Sequence, residues 1–244
     1  MILVLSGEGP SDIGTCSNAL GMCSDGDFIP GPMTVLIDQM ISPFLGYSIR
    51  ELPDRLYFIS ETTLVERSKN LPMRLKPARS KKLGSETGYF HSNATALGAM
   101  AKELEKETND EAIAILFRDS DGTRSTPASL WETKWESMLS GFLRSEFLRG
   151  VPMLPKPTSE VWLLCAAQNH PYQNCDQLED LPGNQASPNH PKKKLDDVFG
   201  EHKSAADLCE WLEANPFDCV RAESMPSFKK FKDEFERVIK DLIH

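Results

Sequence analysis

Two short apolar runs stand out along this chain, and each of them ends on acid. Ile2-Leu3-Val4-Leu5 is followed by Ser6-Gly7-Glu8-Gly9-Pro10, and Ala112-Ile113-Ala114-Ile115-Leu116-Phe117 is followed by Arg118-Asp119-Ser120-Asp121-Gly122. A run with no polar alternation fits a strand buried on both faces, as in a parallel sheet covered by helices. Residues 55–60 and 150–154 are two further strand candidates. Between the strands the apolar spacing turns helical. Val35, Leu36, Met40, Ile41 and Phe44 predict a helix over 33–45, entered through Pro32. Ala94, Leu97, Met100, Ala101 and Leu104 line one face of a helix over 89–108, which Asn109-Asp110 ends. Trp131, Trp135, Met138, Leu139, Phe142 and Leu143 predict another over 130–147, and Thr158 or Ser159 caps one over 158–167. Residues 12–30 and 168–191 read as irregular, and 192–199, 204–214 and 228–243 as helices. There is no internal repeat.

Strands and helices in alternation predict an α/β fold with a central, mostly parallel sheet flanked by helices and a helical C-terminal region. In such sheets ligands bind beyond the carboxyl ends of the strands. Those ends are where Glu8, Asp119 and Asp121 fall. Hard divalent cations such as Mg²⁺ take oxygen ligands, and converging carboxylates repel one another until a cation neutralises them. The pattern therefore predicts a Mg²⁺ or Mn²⁺ site. Three other chemistries lack their spacing, while a Ser/His/Asp or Cys/His triad stays open. Gly7-Glu8-Gly9-Pro10-Ser11 is neither a nucleophile elbow nor a dinucleotide loop, and no phosphate-binding loop of an NTPase is present.

Charge and composition refine this picture in three places. The formal net charge is -9, which argues against a uniformly basic nucleic-acid binder. Residues 67–82 nevertheless carry seven positive charges and no acid, so Arg74, Lys76, Arg79, Lys81 and Lys82 are expected to meet phosphates. Tyr89, Phe90 and His91 follow closely, placed to stack on a base. The six cysteines show no CxxC spacing and no zinc-finger histidine. Cys165 and Cys209 fall in apolar helical patterns, which with no signal-like segment predicts reduced thiols in a cytoplasmic protein. No apolar stretch reaches the ~20 residues of a membrane span, so no membrane partner is expected.

The blocks 3–12, 117–122 and 157–164 resemble the signature blocks of Toprim domains, and among them those of OLD-family nucleases and the small Toprim proteins of bacterial defence systems. By that resemblance Glu8 matches the Toprim Glu, Asp12 the additional Asp of the OLD-like branch, Asp119 and Asp121 the DxD pair, and Glu160 the downstream acid. It implies a Toprim-like catalytic domain over 1–167 with a large insertion at about 13–110, since 110 residues separate Glu8 from Asp119. Residues 168–244 would form a helical region packed on it. It further implies a Mg²⁺- or Mn²⁺-dependent nuclease that cleaves DNA or RNA and serves as an effector of anti-phage defence. Glu8, Asp12, Asp119, Asp121 and Glu160 would hold one or two metal ions, and Lys156 would offset charge on the scissile phosphate. The alternative is a non-catalytic Toprim-like module working with a separate ATPase partner, in which Trp211, Phe217, Phe228, Phe231 and Phe235 dock that partner. A homodimer is compatible with either.

Overall fold

The computed structural model describes residues 1–18, 20–72, 85–120 and 130–243. Its centre is a five-stranded sheet. Strand β1 (Ile2–Ser6) lies between β5 (Leu56–Ile59) and β6 (Ala112–Phe117), β7 (Gly150–Met153) extends the sheet beyond β6, and β3 (Met22–Ser24) extends it beyond β5. Four strands run parallel and only β3 runs against them. Every residue of β1 and β6 is buried, which is why both read as unbroken apolar runs. A two-stranded ribbon, β2 (Gly14–Cys16) with β4 (Phe28–Pro30), stands beside the sheet. The segment 12–30, expected to be irregular, thus contributes three short strands. Each has only three residues, too few for a period to be read from sequence.

The helices follow the strands. Helix α1 (Pro32–Leu45) starts at Pro32 and ends on Gly46 in the left-handed region, φ 78°. Helix α2 (Glu61–Asn70) begins on Ser60, whose hydroxyl accepts the Thr63 N–H. The sequence gives no sign of α2, because Leu64 is its one buried residue. Helices α3 (Ser85–Thr108) and α4 (Trp131–Arg144) pack tightly on each other, and α3 lies on β6 and β1. Glycines permit the close α3–α4 approach: a Cβ on Gly141 would stand 2.3 Å from the His91 carbonyl oxygen and 2.7 Å from the Ala94 Cβ. Neither neighbour can turn aside, because both belong to the facing helix. Gly141→Leu is therefore expected to destabilise the protein by at least about 1–3 kcal/mol, read as a lower denaturation midpoint with an unchanged m-value.

The C-terminal region, α5 (Glu160–Ala167), α6 (Pro191–Phe199), α7 (Ala205–Ala214) and α8 (Pro226–Ile243), is joined to the sheet by one continuous core. Helix α8 packs on β7, and α7 packs on α1. Trp162 of α5 is fully buried between Phe228 and Phe231 of α8, with its indole N–H donating to the Ser227 hydroxyl at 2.9 Å. Phe217, Phe228, Phe231 and Phe235 are buried in this core and Trp211 packs at its edge, so these aromatics are not a free docking face.

Four cysteines depart from the expectation of reduced thiols. Cys16 is joined to Cys23 and Cys165 to Cys175, with Cα–Cα distances of 5.8 and 5.3 Å. Cys165 is indeed buried, as its apolar surroundings suggested, but its partner lies ten positions on, in a 3₁₀ turn over Cys175–Asp180. No spacing rule in the sequence announces that pair. Cys209 and Cys219 are free. Among the described residues no helix is long and apolar enough to cross a membrane.

Candidate functional site

The site is built from the ends of adjacent strands. Strands β1 and β6 are neighbours in register, Leu5 opposite Ile115 and Ser6 opposite Leu116. The chain leaving β1 therefore presents Glu8 next to the residues leaving β6. One Glu8 carboxylate oxygen accepts the Asp119 N–H at 2.7 Å. Gly9, with φ 74°, turns the loop back in a conformation that side chains rarely adopt, and Pro10, Ser11 and Asp12 follow.

Asp12 and Asp119 are then tied together by a third element. The N–H of Ser159 donates to one oxygen of Asp119 at 3.0 Å, and the Ser159 hydroxyl donates to Asp12. Ser159 stands at the start of α5, where the sequence suggests a helix cap. Its hydroxyl makes no cap bond and is turned onto Asp12 instead. The next residue, Glu160, lies close enough to Asp12 for their charges to interact. The structure thus brings together Glu8, Asp12, Asp119 and Glu160, all half-buried, from three separate stretches of chain.

The turn after β6 is pinned from below. Ser120 donates its N–H to the Pro157 carbonyl at 3.0 Å and accepts, on its own carbonyl, a bond from the Lys134 ammonium at 2.8 Å. Lys134 is 1% exposed, and its ammonium also lies over the Phe90 ring. Arg118, also 1% exposed, bonds the Phe117 carbonyl through Nη1, while its Nε and Nη2 have no hydrogen-bond partner among the described residues. Sequence reading gives no site role to Arg118, Lys134 or Ser159. The available signal for the first is an arginine that directly continues a fully apolar strand, where a solvated charge has no room.

Burial pushes the Asp12 carboxyl up to about 6; the bond from Ser159 opposes this, the Glu160 charge adds to it, the Ser11 hydroxyl opposes it and the Glu8 charge adds to it again. In the unfolded chain such a group titrates near ~4. The folded protein therefore holds this proton more tightly, and Asp12's contribution to stability is complete below about pH 4 and is lost as pH rises through about 6. In metal-free buffer the wild-type denaturation midpoint is expected to fall across that window relative to Asp12→Asn, which lacks the titration. Parallel pH profiles of the two proteins would contradict this.

The other sequence-derived positions have different surroundings or fall outside the described residues. Lys156 is half-buried and close to Glu179, whose carboxyl is raised by burial, held down by two bonds with Ser227, and drawn down further by the Lys156 charge. Phe90 and His91 are buried, which corrects the expectation that they stack on bases; Tyr89 alone of the three is exposed. Asp121, Arg74, Lys76, Arg79, Lys81 and Lys82 lie outside the described residues. Among the described residues no three His, Cys, Asp or Glu side chains already stand as a cation cage. The donor set is nonetheless one of hard carboxylate oxygens, the kind that Mg²⁺ and Mn²⁺ take. After burial, the charges of Glu160 and Glu8 add to the upward push on the Asp12 carboxyl, and a cation bound there would offset them. No protein-family model matches the chain, and no curated protein and no solved structure shows significant similarity to it.

Proposed function

We propose that this protein is a metal-dependent phosphoryl-transfer enzyme, a nuclease with a Toprim-like catalytic fold that cleaves DNA or RNA. The observation that carries the reading is the meeting of Glu8 with Asp119 at adjacent strand ends, with Ser159 joining Asp119 to Asp12. Glu8, Asp12, Asp119 and Glu160, with Asp121, are the residues that would hold Mg²⁺ or Mn²⁺. Bound there, the ion would supply charge for an attacking water and a leaving oxygen. The chain's own groups prepare that place. Ser159 ties the two aspartates together, the Asp119 N–H bonds Glu8, and Lys134 pins the turn that follows Asp119. The basic stretch 67–82 supports a polyanionic substrate. Service in anti-phage defence, beside a separate ATPase, belongs to the same reading and rests on the sequence resemblance.

The test is a cleavage assay on single- and double-stranded DNA and RNA, with small phosphodiesters as a further arm. Activity is expected with Mg²⁺ or Mn²⁺ and none with EDTA. Cleavage that persists undiminished in EDTA, or none on any phosphodiester with either ion, would refute it.

A further inference from the structure

Leu56, the first residue of β5, borders a cavity of about 820 Å³ at the end of the sheet opposite the acids. Four further parts of the chain close round it: β4, α1, the 3₁₀ turn Ile49–Glu51 and the end of α7. Its floor is apolar, with Phe28, Val35 and Leu56 all buried. A cavity of this size, with an apolar floor and a few polar groups, is the usual form of a small-molecule site.

The polar groups decide which molecule fits. Three carboxylates and one guanidinium border the cavity: Asp38, Glu51, Glu213 and Arg50. Arg50 is taken by Glu213, which its Nη2 meets at 2.8 Å. Asp38, one helical turn from Val35 on the same face of α1, is 7% exposed. It accepts bonds from the Ser48 hydroxyl and the Ile49 N–H, each at 2.8 Å, and a longer one from the Ser42 hydroxyl. All three donors are neutral. Among the described residues no cation pairs with Asp38 or with Glu51. A carboxylate so far from water is costly unless a positive charge joins its hydrogen bonds. We propose that the cavity is a binding site for an organic amine with a bulky apolar body. The body lies on Phe28, Val35 and Leu56, and the ammonium faces Asp38 and Glu51. The Arg50 Nε, buried and without a hydrogen-bond partner among the described residues, adds a donor for an oxygen on that body. The site is separate from Glu8 and Asp119 and does not depend on the metal-dependent reading.

Isothermal titration of the full chain with phenylbutylamine, phenylbutanol and phenylbutyrate separates the ionic part of binding from the apolar part. The amine is expected to bind saturably, the alcohol at least about tenfold more weakly, and the acid most weakly of the three. Gly26 offers a variant that fills the space without disturbing its walls: it borders the cavity, and a Cβ there would meet no atom within 4 Å. Gly26→Leu is expected to abolish amine binding, and Glu51→Gln, at an exposed position, to weaken it. A wild type that does not bind the amine, or that binds the acid as tightly, would overturn the inference. So would a folded Gly26→Leu protein that binds the amine like the wild type. Circular dichroism checks the fold of each variant; if Gly26→Leu does not fold, the three ligands on the wild type alone still decide.

Discussion

Glu8→Gln is expected to yield a folded protein that has lost at least about a hundredfold of its Mg²⁺-dependent cleavage. Losing a group that only supports a metal ligand costs about 10–100-fold in affinity or activity, and in the proposed reading Glu8 is itself a ligand. The amide keeps the shape of the side chain and an oxygen that can still accept the Asp119 N–H, now bonded at 2.7 Å. What it removes is charge. The expected thermal stability is therefore close to that of the wild type, while Mn²⁺ affinity falls sharply. Asp119→Asn is expected to behave alike, since its side-chain oxygen can still receive the Ser159 N–H. Equal turnover by wild type and Glu8→Gln, measured with saturating nucleic acid over a range of Mg²⁺ concentrations, would remove Glu8 from the mechanism.

Trp162→Ala is expected to have the largest effect on stability. The indole is fully buried, meets Phe228 edge-on at 5.2 Å and stacks on Phe231 at 5.6 Å between ring centres. Truncation leaves a cavity that the rigid α5–α8 contact cannot close, and it deprives the buried Ser227 hydroxyl of its donor. A loss of about 3–5 kcal/mol follows, which for a chain of this size lowers Tm by on the order of 10 °C. The same helix carries Ser159 and Glu160 at its start, so a drop in Mn²⁺ affinity should accompany the lost stability. Urea unfolding and metal titration on one preparation measure both. A variant within about 1 kcal/mol of wild type would show that the pocket collapses, as some large-to-small sites do.

How much of this was legible in the sequence depends on what kind of residue carried the information. Buried parallel strands announce themselves by unbroken apolar runs, so β1, β6 and the acids at their tips could be placed without coordinates. Strand β5 was legible as well, though its place beside β1 was not: register is a relation between distant segments, and one sequence does not hold it. The insertion implied between Glu8 and Asp119 accordingly turns out to include a central strand of the main sheet. Ser159 reads as a cap because position and residue type suit one, whereas its bond to Asp12 depends on a contact 147 residues away in sequence. Arg118 and Lys134 take no role in the sequence, because burial of a cation is decided by what folds over it. The disulfide partners lie seven and ten residues apart, and only the folded path of the chain selects them.

The bond from Ser159 to Asp12 has a consequence for the order of events while the chain is being made. Strands β1, β5 and β6 all emerge before residue 118, so three adjacent strands of the sheet and the bond between Glu8 and Asp119 can form early. Ser159 comes later, and the helix that presents it is seated by aromatic side chains of residues 226–243. A nascent chain still attached to the ribosome can thus hold Glu8 against Asp119 while Asp12 is not yet tied to them. The tie between Asp12 and Asp119 is thus complete only once residues 226–243 are there to seat α5.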